Sequence, residues 1–319
     1  MAEQLKQSKI NGNITGILEE KALELETGVE KEKDGKKYKT DVIKGKLVVN
    51  GYEIRVYSQS KNGDKENKMF KGLLTIYNDY LDKVEASKTG GVADTISVSI
   101  RYECNDYVGQ DDTVKTGTQI SLFKADRVSP ETPHQAEIDL DNVYIASMMP
   151  EVKDEEETGR LKIKLAYVDY YGKIKPLEFF VENSEDDDLV GDIENYYEVG
   201  QTVHVYAELK QIRIGGETSK GKAGFGRKAN VASGFTITEA HIIGGEEPFE
   251  DELAYDTDEI KKAMKERQLE LDEMVAKAKE KAKQGGATGG LKGSGSKGGA
   301  VGKKANVAKQ TEEDDSLPF

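Results

Sequence analysis

Cysteine occurs once in the 319 residues, at Cys104, so an internal disulfide is impossible and no cysteine pair has metal-ligand spacing. A lone thiol fits a reducing cytoplasm. Histidine is nearly as scarce: His134, His204 and His241 lie far apart, without partners at i+3 or i+4. A histidine-centred metal or acid–base site therefore has little to build on, and each reads as an ordinary strand or loop residue. No run approaches the ~18 apolar residues of a membrane span, and MAEQLKQSKI has no apolar core of the signal-peptide kind. A soluble, unexported protein without a membrane partner is expected. A phosphate-cradling GxxxxGK[ST] is missing too; GGLKGSGSKGG resembles it only in composition.

Charge is abundant. Charged residues make up 33% and hydrophobic ones 36%, mean hydropathy is −0.66, and the formal net charge is −14. The sum argues against a generally basic nucleic-acid coat, so any footprint for a polyanion must come from local basic loops. The length suits about two domains.

From Ile10 to about Ile243 the pattern is period-two alternation, in short β-branched and aromatic runs broken by Gly, Asn and Asp. The clearest strands are VIKGKLVV (42–49), YEIRVYS (52–58), TISVSIRYE (95–103), TQISLFKA (118–125), RLKIKLAYV (160–168), PLEFFVE (176–182), QTVHVYAEL (201–209) and SGFTITEAHII (233–243). Asn50-Gly51 is a strong hairpin turn signal, and the YYG at 170–172 has the same role. Two helical patterns interrupt the strands, over 65–84 and 186–197. The order of three strands, a helix and two strands thus appears twice. That order predicts tandem OB-fold barrels, each a five-stranded Greek-key barrel with a helix between its third and fourth strands.

The expected organisation is a first barrel over 1–130 and a second over 143–248, joined by 130–142 and followed by a helix over 256–284 with Asp256 or Thr257 as N-cap. Residues 285–310 read as a disordered Gly/Ser/Lys linker, with five lysines and no acids. The stretch 311–319, TEEDDSLPF, forms an acidic tip.

An OB barrel takes an extended oligonucleotide across its second and third strands, between the loop joining strands one and two and the loop joining strands four and five. Phosphates need cations and unstacked bases need aromatic faces. In the second barrel the latter loop, 210–232, sets six cations, Lys210, Arg213, Lys220, Lys222, Arg227 and Lys228, against the single acid Glu217, with Phe225 between glycines. In the first barrel the loop 24–41 carries Lys36, Lys37 and Lys39 around Tyr38, and the third strand adds Arg55 and Tyr57. Tyr170 stands in the turn after the second barrel's second strand. These are the candidate DNA-binding residues. Acid clusters such as EDDD (185–188) and DEEE (154–157) sit where they cap and solubilise, and no spaced motif selects a carboxylate pair for metal. No catalytic residue, metal or cofactor is expected.

The OB barrels, the Gly-rich linker and the terminal acids before Pro-Phe together resemble the single-stranded DNA-binding proteins of bacteria and their phages. In that family a run of aspartates before Ile-Pro-Phe docks replication, recombination and repair proteins. The resemblance implies that Asp314, Asp315, Leu317, Pro318 and Phe319 form a partner-binding tip, although Ser316 stands where an acid is usual. The larger, duplicated body without tryptophan departs from the bacterial pattern and points to a phage-encoded form working in the host cytoplasm. The implied function is non-enzymatic coating of single-stranded DNA with recruitment of partners. Two other readings stand beside it: a protein-binding adaptor or virion-associated β-protein, and a DNA-processing enzyme with a carboxylate metal site.

Overall fold

A computed structural model describes residues 5–109, 111–214, 235–250 and 253–285. The chain is mostly β, and its long strands close into two barrels built to one plan. In the first, β1 (Lys9–Lys33), β2 (Lys36–Val49) and β3 (Tyr52–Gln59) are consecutive antiparallel strands. A small hairpin, β4 (Lys61–Asn62) with β5 (Lys65–Glu66), and two helices, α1 (Lys68–Asp79) and α2 (Lys83–Thr89), then lead to β6 (Thr95–Val108) and β7 (Val114–Arg127). β7 meets β3 in parallel at Arg55↔Ser121, pairs antiparallel with β6, and β6 closes onto β1 from Gly12↔Ile100 to Ile17↔Thr95.

The second barrel repeats this. β8 (Gln135–Lys153), β9 (Glu156–Val168) and β10 (Ile174–Val181) precede α3 (Leu189–Tyr196), β11 (Thr202–Ile214) and β12 (Phe235–Gly245). β10 meets β12 in parallel at Phe180↔His241, and β11 closes onto β8. In both, the strand order around the barrel is first, second, third, fifth, fourth, first, with helix after the third strand. That is the OB plan expected from the element order. The two first strands pair antiparallel from Lys9↔Asp141 to Thr15↔Gln135, which sews the barrels together.

Alternation explains the closure. Ile54, Val56 and Ser58 of β3 point inward while Glu53, Arg55 and Tyr57 point out. Asn50 and Gly51 adopt φ of 49° and 81°, as a two-residue hairpin turn matched to strand twist requires. At Gly45, φ is 135° and a Cβ would run into the carbonyl oxygen of Ala22, so β2 can bend around the barrel only because no side chain is there. The inner faces merge into one core: Tyr102 of the first barrel and the fully buried Phe179 of the second have ring centroids 6.0 Å apart. Phe70, Leu73 and Ile76 of α1 and Ile193 of α3 plug the barrel ends.

A final helix, α4 (Thr257–Gly285), begins at Asp256, whose Oδ1 accepts from the backbone N–H groups of Asp258 and Glu259 at 2.8 and 3.0 Å. Tyr255 fixes its start: the hydroxyl donates to the Lys6 carbonyl at 2.6 Å and accepts from Asn142 Nδ2 at 2.8 Å, on the seam between β1 and β8.

Four sequence expectations change. Residues 24–41 form not a loop but a β-ribbon, because Asp34-Gly35 makes a second tight turn at φ of 51° and 74°. The helix expected over 65–84 gives way to the β4–β5 hairpin and two helices, since Asn67 and Asp82 each cap a new start with a side-chain oxygen. β8 begins at Gln135, within the stretch read as a connection, because Ile138 and Leu140 already alternate into the core. Finally, β11 runs to Ile214, so 210–214, the start of the expected loop 210–232, are strand.

Candidate nucleic-acid interface

The β1–β2 ribbon sorts its residues by side, since directly opposed residues and those two apart share a face. One face carries Lys31 opposite Tyr38 and Lys33 opposite Lys36. The other carries Glu30 opposite Lys39 and Glu32 opposite Lys37, and there Lys37 Nζ pairs with Glu30 at 3.2 Å. Three lysines and a tyrosine therefore occupy a side without acids, while Lys37 and Lys39 sit among carboxylates. The basic side leans over β3: Lys31 Nζ donates to the Tyr57 hydroxyl at 3.4 Å. Tyr57 itself is half exposed.

Below the ribbon, β2, β3, β6 and β7 line a groove of about 290 Å³ with Lys46, Glu53, Arg55, Asn105, Thr118, Gln119 and Ile120. Arg55 donates to Gln119 Oε1 at 2.6 Å, and no carboxylate pairs with it among the described residues. Lys46 is held by Glu53 at 2.8 Å, and Lys44 by Glu26 at 2.5 Å. On the same outer wall Arg101 lies over the half-exposed Phe123 ring, 5.1 Å from its centroid. Phe123 stands two residues past Ser121, just as Tyr57 stands two past Arg55, on strands that run parallel at that pair. The first barrel thus presents aromatic faces, two guanidiniums, Arg55 and Arg101, that pair with no carboxylate among the described residues, and a lysine-bearing ribbon on one side.

The equivalent wall of the second barrel is different. Arg160 pairs with Glu239 at 3.0 Å and Glu151 at 3.1 Å, with its guanidinium 4.2 Å from the centroid of Phe180. Lys162 pairs with Glu178 at 2.9 Å, and Lys210 with Glu182 and Glu208 at 2.5 and 3.0 Å. Burial pushes His241, between Glu182 and Glu239, below its ordinary range. Arg160, Lys162 and Lys210 are thus each ion-paired within this barrel.

The sequence-predicted residues are accordingly divided. Lys36, Tyr38, Arg55 and Tyr57 gather on one side of the first barrel, while Lys37 and Lys39 turn away from them. Lys210 and Arg213 lie in β11, in the second barrel. Tyr170 is exposed beside Tyr171 in the turn after β9, at the opposite end of that strand from the β8–β9 turn. Lys220, Lys222, Phe225, Arg227 and Lys228, and likewise Asp314, Asp315, Leu317, Pro318 and Phe319, lie outside the described residues. Lys31, Lys33, Arg101 and Phe123 were not singled out from sequence. The signal for the first two was the Asp34-Gly35 turn, which fixes the ribbon register.

Comparison with known proteins adds a family. The YorF family model matches residues 10–277, which spans both barrels and most of α4. The chain belongs to the YorF family. No curated protein sequence matches it. Among solved structures, the wild-type single-stranded DNA binding protein from Thermus aquaticus is similar at 10% identity and a TM-score of 0.41, over 77% of this chain and 96% of that one. A deletion mutant of the same protein gives 12% identity and the same TM-score, over 77% and 97%. At that distance the likeness carries no functional argument, and the site stands on its own geometry. Among the described residues no group of three or more His, Cys, Asp or Glu is placed to hold a metal ion, and no helix is long and apolar enough to cross a membrane.

Proposed function

We propose that this YorF-family protein binds single-stranded DNA, largely without sequence preference, in the context of replication, recombination or repair. One observation carries the reading: the ribbon face with Lys31, Lys33, Lys36 and Tyr38 lies over Tyr57 on the outer wall of the first barrel. A flexible single strand is the ligand that needs both features at once. Its phosphates take cations without regard to sequence, and its bases, free of a duplex stack, lie on tyrosine rings. The role is binding and protection of the strand rather than catalysis. The acidic, apolar stretch 311–319 serves in this reading as a tethered peptide for a replication, recombination or repair protein, supported by its composition: an aromatic anchor behind a proline and four acids.

The direct test is a gel shift with a ~30-nucleotide single strand, competed by duplex and by RNA of the same length. Retention at low salt that duplex does not displace is the expected result. Failure to shift any strand at low salt would remove the proposal. A protein-binding adaptor is the second reading, and the ion-paired wall of the second barrel favours it there, since cations already paired with carboxylates draw a polyanion less strongly than the open ribbon face does.

A further inference from the structure

The outer faces of the two barrels differ in what lies on them. On β9 the residues Leu161, Ile163, Leu165 and Tyr167 face the core, so Lys162, Lys164, Ala166 and Val168 face outward. Ala166 and Val168, with Tyr144, Ala146 and Ile174, are buried by Ile260 and Met264 of α4. Further along, Met264, Arg267, Gln268 and Leu271 of α4 overhang a groove of about 410 Å³, floored by Phe180, Glu178, Lys164 and Thr238 of the second barrel. Helix α4 therefore runs across the same wall that, in the first barrel, stands open and carries the candidate interface.

Its hold on that wall is uneven. The first two turns are firmly seated through Tyr255, Ile260 and Met264. Beyond them, the polar link to the first barrel is Arg267: Nη1 donates to Asp106 Oδ2 and Nη2 to Asp106 Oδ1, each at 2.8 Å, with both side chains largely buried. Burial alone would raise the Asp106 carboxyl, but the bonds from Arg267 and Thr116 outweigh it and hold it below the ordinary carboxylate range. Past Arg267 the helix shows an exposed pair, Lys173 with Glu270 at 2.6 Å, and exposed Leu269 and Met274. A helix so short of apolar contact in its second half does not stay put by packing.

We propose that α4 is a strap closing the outer face of the second barrel, and that Arg267 with Asp106 is the latch that holds it against the first barrel. Opening uncovers Phe180, Lys164 and Thr238 without unfolding either barrel, because the core clusters of the barrels do not include the helix beyond Met264. That the uncovered face then admits more of a bound single strand rests on the nucleic-acid reading above; the latch itself does not.

The test places a reporter under the strap in the full chain. Thr238→Cys, on the floor of the groove, is labelled with a bulky maleimide at pH 7 in a Cys104→Ser chain, with Cys104→Ser alone as background, because the Cys104 thiol touches both Arg267 and Asp106 and would itself respond to the latch variants. Arg267→Gln and Asp106→Asn are each expected to speed labelling about tenfold or more, the size of losing a charge-assisted hydrogen-bond pair. The exchanged pair, Arg267→Asp with Asp106→Arg, is expected to return it toward the parent rate. Equal rates in parent and Arg267→Gln, with unchanged melting temperature, would overturn the latch. Titration of the same proteins with short and long oligo-dT completes the test: the latch variants should gain affinity for the long strand alone. Faster labelling with no oligonucleotide bound by any variant would leave the strap standing and remove the nucleic-acid reading. Faster labelling with equal affinities for both lengths would overturn strand admission by strap opening.

Discussion

Lys31 and Tyr38 stand directly opposite each other across the β1–β2 ribbon, on the side that also carries Lys33 and Lys36. Lys37 and Lys39, adjacent in sequence, are opposite Glu32 and Glu30 on the other side. The three basic-face lysines should therefore contribute phosphate contacts that the two on the acidic side do not.

Replacing Lys31, Lys33 and Lys36 together by alanine should weaken oligo-dT binding and flatten its salt dependence, by about 0.7 in the log–log slope per lost contact. The paired change of Lys37 and Lys39 to alanine should leave the slope nearly as it was. Fluorescence titrations at several salt concentrations measure both. Equal effects from the two sets would mean that the ribbon face is not what the strand sees.

Tyr57 offers a test of stacking apart from charge. Tyr57→Ala should cost about 1–3 kcal/mol of binding, the worth of one stacked base, whereas Tyr57→Phe keeps the ring and should cost little. The hydroxyl accepts from Lys31 at 3.4 Å, a long bond whose loss matters less than the ring. A phenylalanine variant as weak as the alanine one would place the hydroxyl, not the face, in the interaction.

Much of the fold was legible because both barrels obey local rules. Alternation in YEIRVYS and VHVYAEL marked inward and outward faces, and Asn50-Gly51 announced its turn. The ribbon was harder: its residues are so charged that 24–41 looked like a loop, and only register, fixed by Asp34-Gly35, shows which lysines stand together. The break at 80–82 was hidden because Tyr80 and Leu81 continue the helical apolar spacing, while the Asp82 cap competes with it. The helix of the strap was legible over 256–284, but its latch was not. Arg267 and Asp106 are 161 residues apart and belong to different elements, so no local pattern links them.

The merged core predicts how the molecule unfolds. Tyr102 and Phe179 belong to different barrels yet share one buried cluster, and β1 pairs with β8 along the seam. The barrels should melt in one transition rather than two. Phe179→Ala, at a site without solvent exposure, should lower stability by about 3–5 kcal/mol and move that single transition. Calorimetry showing two resolved transitions, with the variant shifting one of them, would contradict a shared core.

The latch should also be sensitive to acid. Asp106 titrates below its ordinary range in the folded chain, so the stability it contributes is complete above the unfolded carboxylate value of about 3.9 and is lost as pH falls through the folded value. The groups around it are Arg267, the Thr116 hydroxyl, which donates to it at 2.8 Å, and the Cys104 thiol at 3.6 Å; of these Arg267 stays charged throughout. Many other carboxylates titrate in the same window, and the informative quantity is the difference in melting temperature between the parent and Asp106→Asn. That difference should hold steady from pH 7 to about pH 5 and shrink below about pH 4, as protonation makes the parent resemble the amide. His241, buried and held low in both proteins, cancels in the comparison. A difference that persists unchanged at pH 3 would show that the Asp106 charge plays no part in holding α4, and that the helix is seated by Tyr255, Ile260 and Met264 alone.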